Sequence, residues 1–209
     1  MGCSLDFLRS IIQHNKYKMT NWKRLMANHI LSAKKVVESK LVKRKSESKK
    51  LLKKGLDGLT KNTREWKDAM TLVFQNPETG RHYGRLWAEH VMLEGKYIGA
   101  AFACPCGAKD FGMCHKAGKA RKSVQDLRKN GAKLVSFLTK HFGNRKQWEH
   151  LWAEHLQCVK DFIDLGKETA CGHATRAQFN ARVKHCIKIS ENYAGAVRKA
   201  TNKLKKGKK

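Results

Sequence analysis

The feature that most constrains this chain is a nine-residue pattern that occurs three times. It begins with an aromatic residue, two variable residues and Leu. A position that is Met or Trp follows, then Ala, then Asn or Glu, then His, and last an aliphatic residue. The copies occupy residues 22–30, 83–91 and 148–156. They place His29, His90 and His155 at intervals of 61 and 65 residues, and the second and third share the pentapeptide Leu-Trp-Ala-Glu-His. We infer an ancestral unit of about 60–65 residues, present three times or two and a half times.

The pattern predicts a helix in each copy. Its aromatic residue, Leu and His stand at i, i+3 and i+7, which lie on one face of an α-helix. The aromatic residue and Leu are expected in the core, with the His at the edge of the same stripe. Such a His is either a hydrogen-bonded core residue or a metal ligand. The first copy has no Cys in the segment that follows His29, so we expect it to be metal-free and held by packing or by docking on its neighbours.

The remaining sequence predicts a mostly α fold, with three helical units and one or two zinc-stabilised irregular knots. The chain has two prolines and no segment of clean alternation, and its Trp residues recur at core-like helical spacing. The sequence contains no run of 18 apolar residues, so it predicts no membrane-spanning helix. The predicted divisions are a basic N-terminal helical region with a degenerate first repeat (1–58), a second repeat with a Cys/His knot (59–143), a third repeat with a knot (144–197) and a basic tail (198–209).

Two clusters of Cys and His follow the second and third copies at similar distances and predict structural zinc. Each contains Ala-Cys-x-Cys or Ala-Cys-x-His and then an adjacent Cys/His pair. Zn²⁺ takes four such sulfur and nitrogen ligands in a tetrahedron. One predicted site uses Cys104, Cys106, Cys114 and either His90 or His115; the other uses Cys171, His173, His185 or Cys186, and His155 or Cys158. The alternative is that these are ordinary buried thiols and surface histidines.

The number and placement of the cysteines favour a reducing compartment. There are seven, an odd number, whereas secreted disulfide scaffolds are smaller, denser in Cys and normally even-numbered. We therefore expect metal-bound or free thiols. The start of the chain also lacks the basic and apolar regions of a secretory signal.

Charge predicts a polyanionic partner. The chain has 45 Lys+Arg against 17 Asp+Glu, a formal net charge of +28, and basic runs of this kind neutralise phosphates without reading bases. RNA is favoured over DNA because no helix carries an evident base-reading face. The predicted contacts are Lys34, Lys35, Lys43, Arg44, Lys45, Lys49, Lys50, Lys53, Lys54, Lys119, Arg121, Lys122, Arg198, Lys199, Lys203, Lys205 and Lys206.

These features predict a non-enzymatic protein that coats, packages or chaperones nucleic acid with little sequence preference. The sequence has no phosphate-binding P-loop, no Gly-x-Gly-x-x-Gly, no His-Glu-x-x-His and no Gly-x-Ser-x-Gly. In size, charge and Cys/His content, though in no motif, it is similar to cysteine-rich nucleic-acid-binding accessory and nucleocapsid proteins of viruses. A ribosome-associated protein is an alternative of the same class.

A second class is a lipid-anchored, matrix-like protein on an anionic membrane. Gly2 and Cys3 are candidates for myristoylation and palmitoylation, although Asp6 replaces the usual Ser or Thr of that motif. The basic clusters 43–45 and 49–54 resemble a bipartite nuclear import signal. The predicted location is therefore intracellular: the nucleus or nucleolus in a eukaryotic cell, otherwise the cytoplasm or a virion.

Overall fold

The structure is a computed structural model that describes residues 20–104, 106 and 117–206. The described residues form six helices and no strand, which confirms the mostly α prediction. The helices are α1 (Trp22–Leu41), α2 (Lys45–Phe74), α3 (Pro77–Phe102), α4 (Ala117–Phe142), α5 (Arg145–Ala170) and α6 (Arg176–Lys206). Gly2, Cys3, Cys114 and His115 lie outside the described residues, as do the side chains of Lys205 and Lys206.

Asparagine caps begin the three helices that carry the repeated pattern. The side chain of Asn21 accepts from the backbone N–H of Arg24 at α1. Asn76 accepts from two backbone N–H groups at α3, where Pro77 takes the first helical position. Asn144 caps α5 in the left-handed conformation, at φ 52°. These side chains satisfy N–H groups that the first helical turn leaves without partners.

The helices form three antiparallel pairs that close into a ring. The three inner helices, α1, α3 and α5, contact one another, and each carries one copy of the repeated pattern. The outer helix α2 packs on α1 and α3, α4 packs on α3 and α5, and α6 packs on α5 and α1. On the inner helices Leu25 and Leu86 are buried and Leu151 is partly buried, as the pattern predicts.

Two apolar clusters fill the interior. One is rich in aromatic residues and includes Trp66, Trp87 and Tyr193; the other is mainly aliphatic and includes Val37 and Ile163. All five tryptophans are buried, which confirms that they belong to the core. On each inner helix the pattern His stands where one cluster gives way to the other, so a polar layer separates the two.

Asn62 on α2 connects two inner helices through buried hydrogen bonds. Its Nδ2 donates to the carbonyl oxygen of Leu25 at 2.7 Å, and its Oδ1 accepts from Trp87 Nε1 at 3.1 Å. Asn130 on α4 repeats the first bond, since its Nδ2 donates to the carbonyl oxygen of Leu86 at 3.0 Å. These bonds fix the outer helices α2 and α4 against the pattern Leu of α1 and of α3, respectively.

We predict that Asn62→Leu lowers the free energy of unfolding by about 2–3 kcal/mol, because the buried Trp87 N–H loses its acceptor. Urea unfolding measures this. Asn192→Leu is the matched control, since Asn192 is exposed on α6 and its replacement should cost less than about 0.5 kcal/mol. Equal free energies of unfolding for the two variants would contradict the proposed role of Asn62.

Candidate metal centre

The three pattern histidines meet in the middle of the core. His29 comes from α1, His90 from α3 and His155 from α5, and each is fully buried. Their ring centroids are 5.5 Å (His29–His90), 5.7 Å (His29–His155) and 5.4 Å (His90–His155) apart. The three imidazoles therefore form a nearly equilateral triangle, because each inner helix presents the same position of its pattern toward the common centre.

Glu94, one helical turn after His90 on α3, adds a carboxylate to this triangle. Its Oε1 lies 3.1 Å from His29 Nε2 and 3.0 Å from His90 Nε2. His155 Nε2 lies 3.3 Å from His90 Nε2. The ligand atoms of these four residues all lie within 4.8 Å of one another, and Glu94 is 1% exposed.

Electrostatics keep the carboxylate charged and one imidazole neutral. Burial by itself would raise the pKa of Glu94, but His29 and His90 together outweigh it and hold that pKa well below its usual range. The pKa of His155 is lowered well below its usual value, first by burial and then by His90 and His29, against the opposing effect of Glu94. A charged carboxylate and a neutral imidazole are the forms that bind metal ions.

The surroundings orient the ligand atoms inward. His155 Nδ1 lies 3.1 Å from Ser190 Oγ on α6, which leaves Nε2 directed at the cluster. Trp87 packs edge-on against His29, and Trp152 packs edge-on against His90. Among the described residues, His29 Nδ1, His90 Nδ1 and Glu94 Oε2 are buried without a hydrogen-bond partner. In metal sites the second ring nitrogen of each histidine commonly has a hydrogen-bond partner. In the described part of the chain, His155 alone of the three histidines has one, Ser190.

The donor set fits a divalent transition metal. Three imidazole nitrogens and one carboxylate oxygen are ligands that Zn²⁺ accepts in a tetrahedron, where bonds of about 2.0–2.1 Å place ligand atoms about 3.3–3.4 Å apart. Three of the separations here, 3.0, 3.1 and 3.3 Å, are close to that spacing. The same donors also bind iron, copper and nickel, so the residues define a class of metal and not one element.

The cysteines are arranged differently from the two predicted zinc knots. Cys106 and Cys171 form a disulfide that joins the ends of α3 and α5, and Cys158 and Cys186 form one between α5 and α6. Cys106 and Cys171 are 65 residues apart, the same interval as His90 and His155. Equivalent cysteines on neighbouring helix ends therefore meet each other instead of surrounding two separate ions. These disulfides correct the expectation of free or metal-bound thiols.

The other residues assigned to the knots do not gather around a site in the described chain. His173 and His185 are exposed. Cys104 is buried, and its carbonyl oxygen accepts a hydrogen bond from Lys167 Nζ. Cys114 and His115 lie outside the described residues.

His90 and His155, assigned above to different knots, lie together in one cluster. His29 joins them, although the sequence predicts a metal-free first copy, and the three histidines and Glu94 form one group that could hold a metal ion. Glu94 was missed, although it left a signal. The corresponding residues of the other copies, four positions after the pattern His, are Ala33 and Val159. A glutamate on the core-facing stripe of a helix calls for a buried partner.

The predicted nucleic-acid contacts lie at the two ends of the bundle. Residues 43–54 and 119–122 begin α2 and α4, at the end where the inner helices finish. Residues 198–203 lie near the far end of α6, whose 31 residues span about 46 Å. Because the length of the bundle separates them, these two groups of basic residues cannot form one continuous patch.

Most of the predicted contacts are exposed: Lys35, Lys43, Arg44, Lys45, Lys49, Lys50, Lys53, Lys54, Lys119, Arg121, Lys122, Arg198, Lys199 and Lys203. Lys34 differs, because it is half-buried, paired with Glu38 and positioned over the Phe179 ring. Its ammonium group is therefore engaged within the protein. Lys53 and Lys122 form exposed ion pairs with Asp57 and Asp126.

Comparisons with known protein families, with curated proteins and with solved structures find no match to this chain.

We predict that peptide mapping without reduction recovers Cys106 linked to Cys171 and Cys158 linked to Cys186. Each bond closes a long loop, so Cys106→Ser/Cys171→Ser should lower the free energy of unfolding by about 3–4 kcal/mol. A reducing agent should destabilise this variant less than the unmodified protein, because one bond has already been removed. Alkylation of all four thiols in the folded, unreduced protein would show that the disulfides do not form.

Proposed function

We propose that this is a metal-binding helical protein, in which His29, His90, Glu94 and His155 hold one divalent transition metal ion of the zinc class. The observation that carries the proposal is the convergence of three imidazoles and a carboxylate in a fully buried cluster. An ionised carboxylate is costly to bury unless charged or hydrogen-bonding groups compensate it. A divalent ion on these four atoms would supply that compensation.

The ion has a structural role in this proposal. Each inner helix supplies at least one ligand, so a bound ion would tie the three helix pairs together at their centre. None of the four side chains is more than 1% exposed, which favours a closed site over a catalytic one that keeps a position for water. We therefore propose a non-enzymatic role for this metal site.

We also propose that the three helix pairs arose by triplication of one unit of an inner and an outer helix. The equivalent placement of the three histidines supports this. The bonds from Asn62 and Asn130 to the pattern leucines Leu25 and Leu86 support it for the first two pairs.

We predict that the full-length protein binds one Zn²⁺ or Co²⁺ per chain, and that bound Co²⁺ has the absorption spectrum of a tetrahedral site. Glu94→Gln keeps the size of the side chain but removes its charge, so metal affinity should fall at least about tenfold. His155→Gln should abolish stoichiometric binding. Mass spectrometry under native conditions and titration with a competing chelator measure both effects.

His150→Gln is the matched control for His155→Gln. His150 is also on α5, but its side chain is 72% exposed. Cys106→Ser/Cys171→Ser is a second control. Both should bind one ion with unchanged affinity. Loss of the ion in the cysteine variant, with Glu94→Gln unaffected, would locate the metal at the cysteine clusters instead.

We propose sequence-tolerant nucleic-acid binding, with RNA favoured, as a second function. Its support is the net charge of +28 and the exposure of the basic side chains at both ends of the bundle. Two separated patches suit a protein that coats or packages a long polyanion, as a nucleocapsid or ribosome-associated protein does. The lipid-anchored alternative rests on Gly2 and Cys3, outside the described residues. Among the described helices, none is long and apolar enough to cross a membrane.

We predict that Lys49→Gln/Lys50→Gln/Lys54→Gln weakens binding to polyuridine and to random duplex alike. For each phosphate that the variant no longer neutralises, the slope of log K against log salt should become less negative by about 0.7–0.9. Fluorescence anisotropy over a range of salt concentrations measures the slope. Lys61→Gln/Arg64→Gln/Lys96→Gln removes the same charge from exposed positions outside the basic clusters and should change the slope less. Identical slopes for the two variants would contradict a localised contact surface.

A further inference from the structure

A groove of about 370 Å³ lies between α4 and α5 and opens to solvent. Its floor is apolar and is formed by residues such as Val124, Leu127, Trp152 and Leu156. Its rim is polar and carries Arg128, Arg145, Lys160 and Glu149. A mostly apolar cleft of this size with a few charged groups is typical of small-molecule sites.

A difference between the helix pairs explains why the groove lies here. Where α3 packs on α2, Gly80 and Gly84 admit the side chains of Thr71 and Lys67, and an added Cβ at either glycine would overlap them. The positions 65 residues later, on α5, are Arg145 and Glu149. Both line the groove. Long side chains in place of two glycines keep α4 and α5 apart along this stretch.

The charges on the rim favour an anionic ligand. Arg145 Nε pairs with Glu149 at 2.7 Å, and Lys160 pairs with Asp164. Arg128 is exposed and has no acidic partner within the described part of the chain. Its guanidinium is therefore available at the edge of an apolar cleft, and guanidinium binds carboxylates through paired hydrogen bonds.

We infer that this groove binds a straight-chain fatty acid, with its hydrocarbon chain over Leu127, Trp152 and Leu156 and its carboxylate at Arg128. Burial of apolar surface supplies most of the affinity, and the charge selects the head group. Each methylene removed from the ligand weakens binding about three- to fourfold. This inference is independent of the metal proposal, since none of the four proposed metal ligands lines the groove.

Isothermal titration of the full-length protein with octanoate, decanoate and dodecanoate, each kept below its micelle concentration, tests the inference. We expect one site per chain and affinity that rises with chain length. Dodecyltrimethylammonium, with the opposite charge, should bind at least about tenfold more weakly than dodecanoate. Equal affinity for the two would overturn the inference, and so would binding to anionic lipid vesicles without binding to the free acid.

Variants of exposed residues locate the site without disturbing the core. Ala153→Phe fills the groove and should reduce dodecanoate affinity at least about tenfold. Ala88→Phe is its control, because Ala88 is exposed at the same position of the shared pentapeptide on α3 and does not line the groove. Arg128→Gln should weaken dodecanoate about tenfold, while Lys129→Gln, an exposed neighbour outside the groove, should not.

Unfolding curves show whether each variant is folded. If Ala153→Phe does not fold, Ala132→Phe replaces it, since Ala132 is also exposed and lines the groove. Unchanged dodecanoate affinity in a folded groove-filling variant would overturn the inference.

Discussion

The contact between Glu94 and the histidines His29 and His90 is the interaction on which the rest of this structure depends. It places a charged carboxylate, 1% exposed, between two apolar clusters. An ionised carboxylate buried without charged or hydrogen-bonding partners costs several kcal/mol, so Glu94 depends on the groups around it. The contact also fixes the register of the inner helices. Sliding one helix by a turn would move its His about 5.4 Å and separate atoms that now lie about 3 Å apart.

The outer helices and the disulfides hold this arrangement from outside. Asn62 and Asn130 bond to pattern leucines one helical turn before His29 and His90, so each keeps an outer helix in register with the buried cluster. The Cys106–Cys171 and Cys158–Cys186 disulfides both involve α5 or its end, which links it to α3 and to α6. The helix that contributes His155 is thus held covalently to both of these neighbours.

The buried charged cluster and the groove both lie where the three helix pairs differ in sequence from one another. Glu94 is present in one pair, and Ala33 and Val159 stand at the corresponding positions of the others, so the cluster of three histidines contains one carboxylate. The groove between α4 and α5 similarly lies where Arg145 and Glu149 replace two glycines. Residues that differ between the three helix pairs therefore form both the charged centre and the open cleft.

The sequence by itself indicated the mostly helical fold and the face that each inner helix buries, because residues at i, i+3 and i+7 lie on one face of any α-helix. It also indicated His90 and His155 as candidate ligands, but not Glu94, which stands four residues after His90 on the same core-facing stripe. Only the tertiary structure decided which of these groups meet. Spacing within one segment suggested that the Cys and His residues of each cluster would bind one ion together. The ring of helix pairs instead brings together corresponding positions of different segments. His29 therefore lies beside His90, and Cys106 beside Cys171, because long-range packing sets distances that no local pattern records.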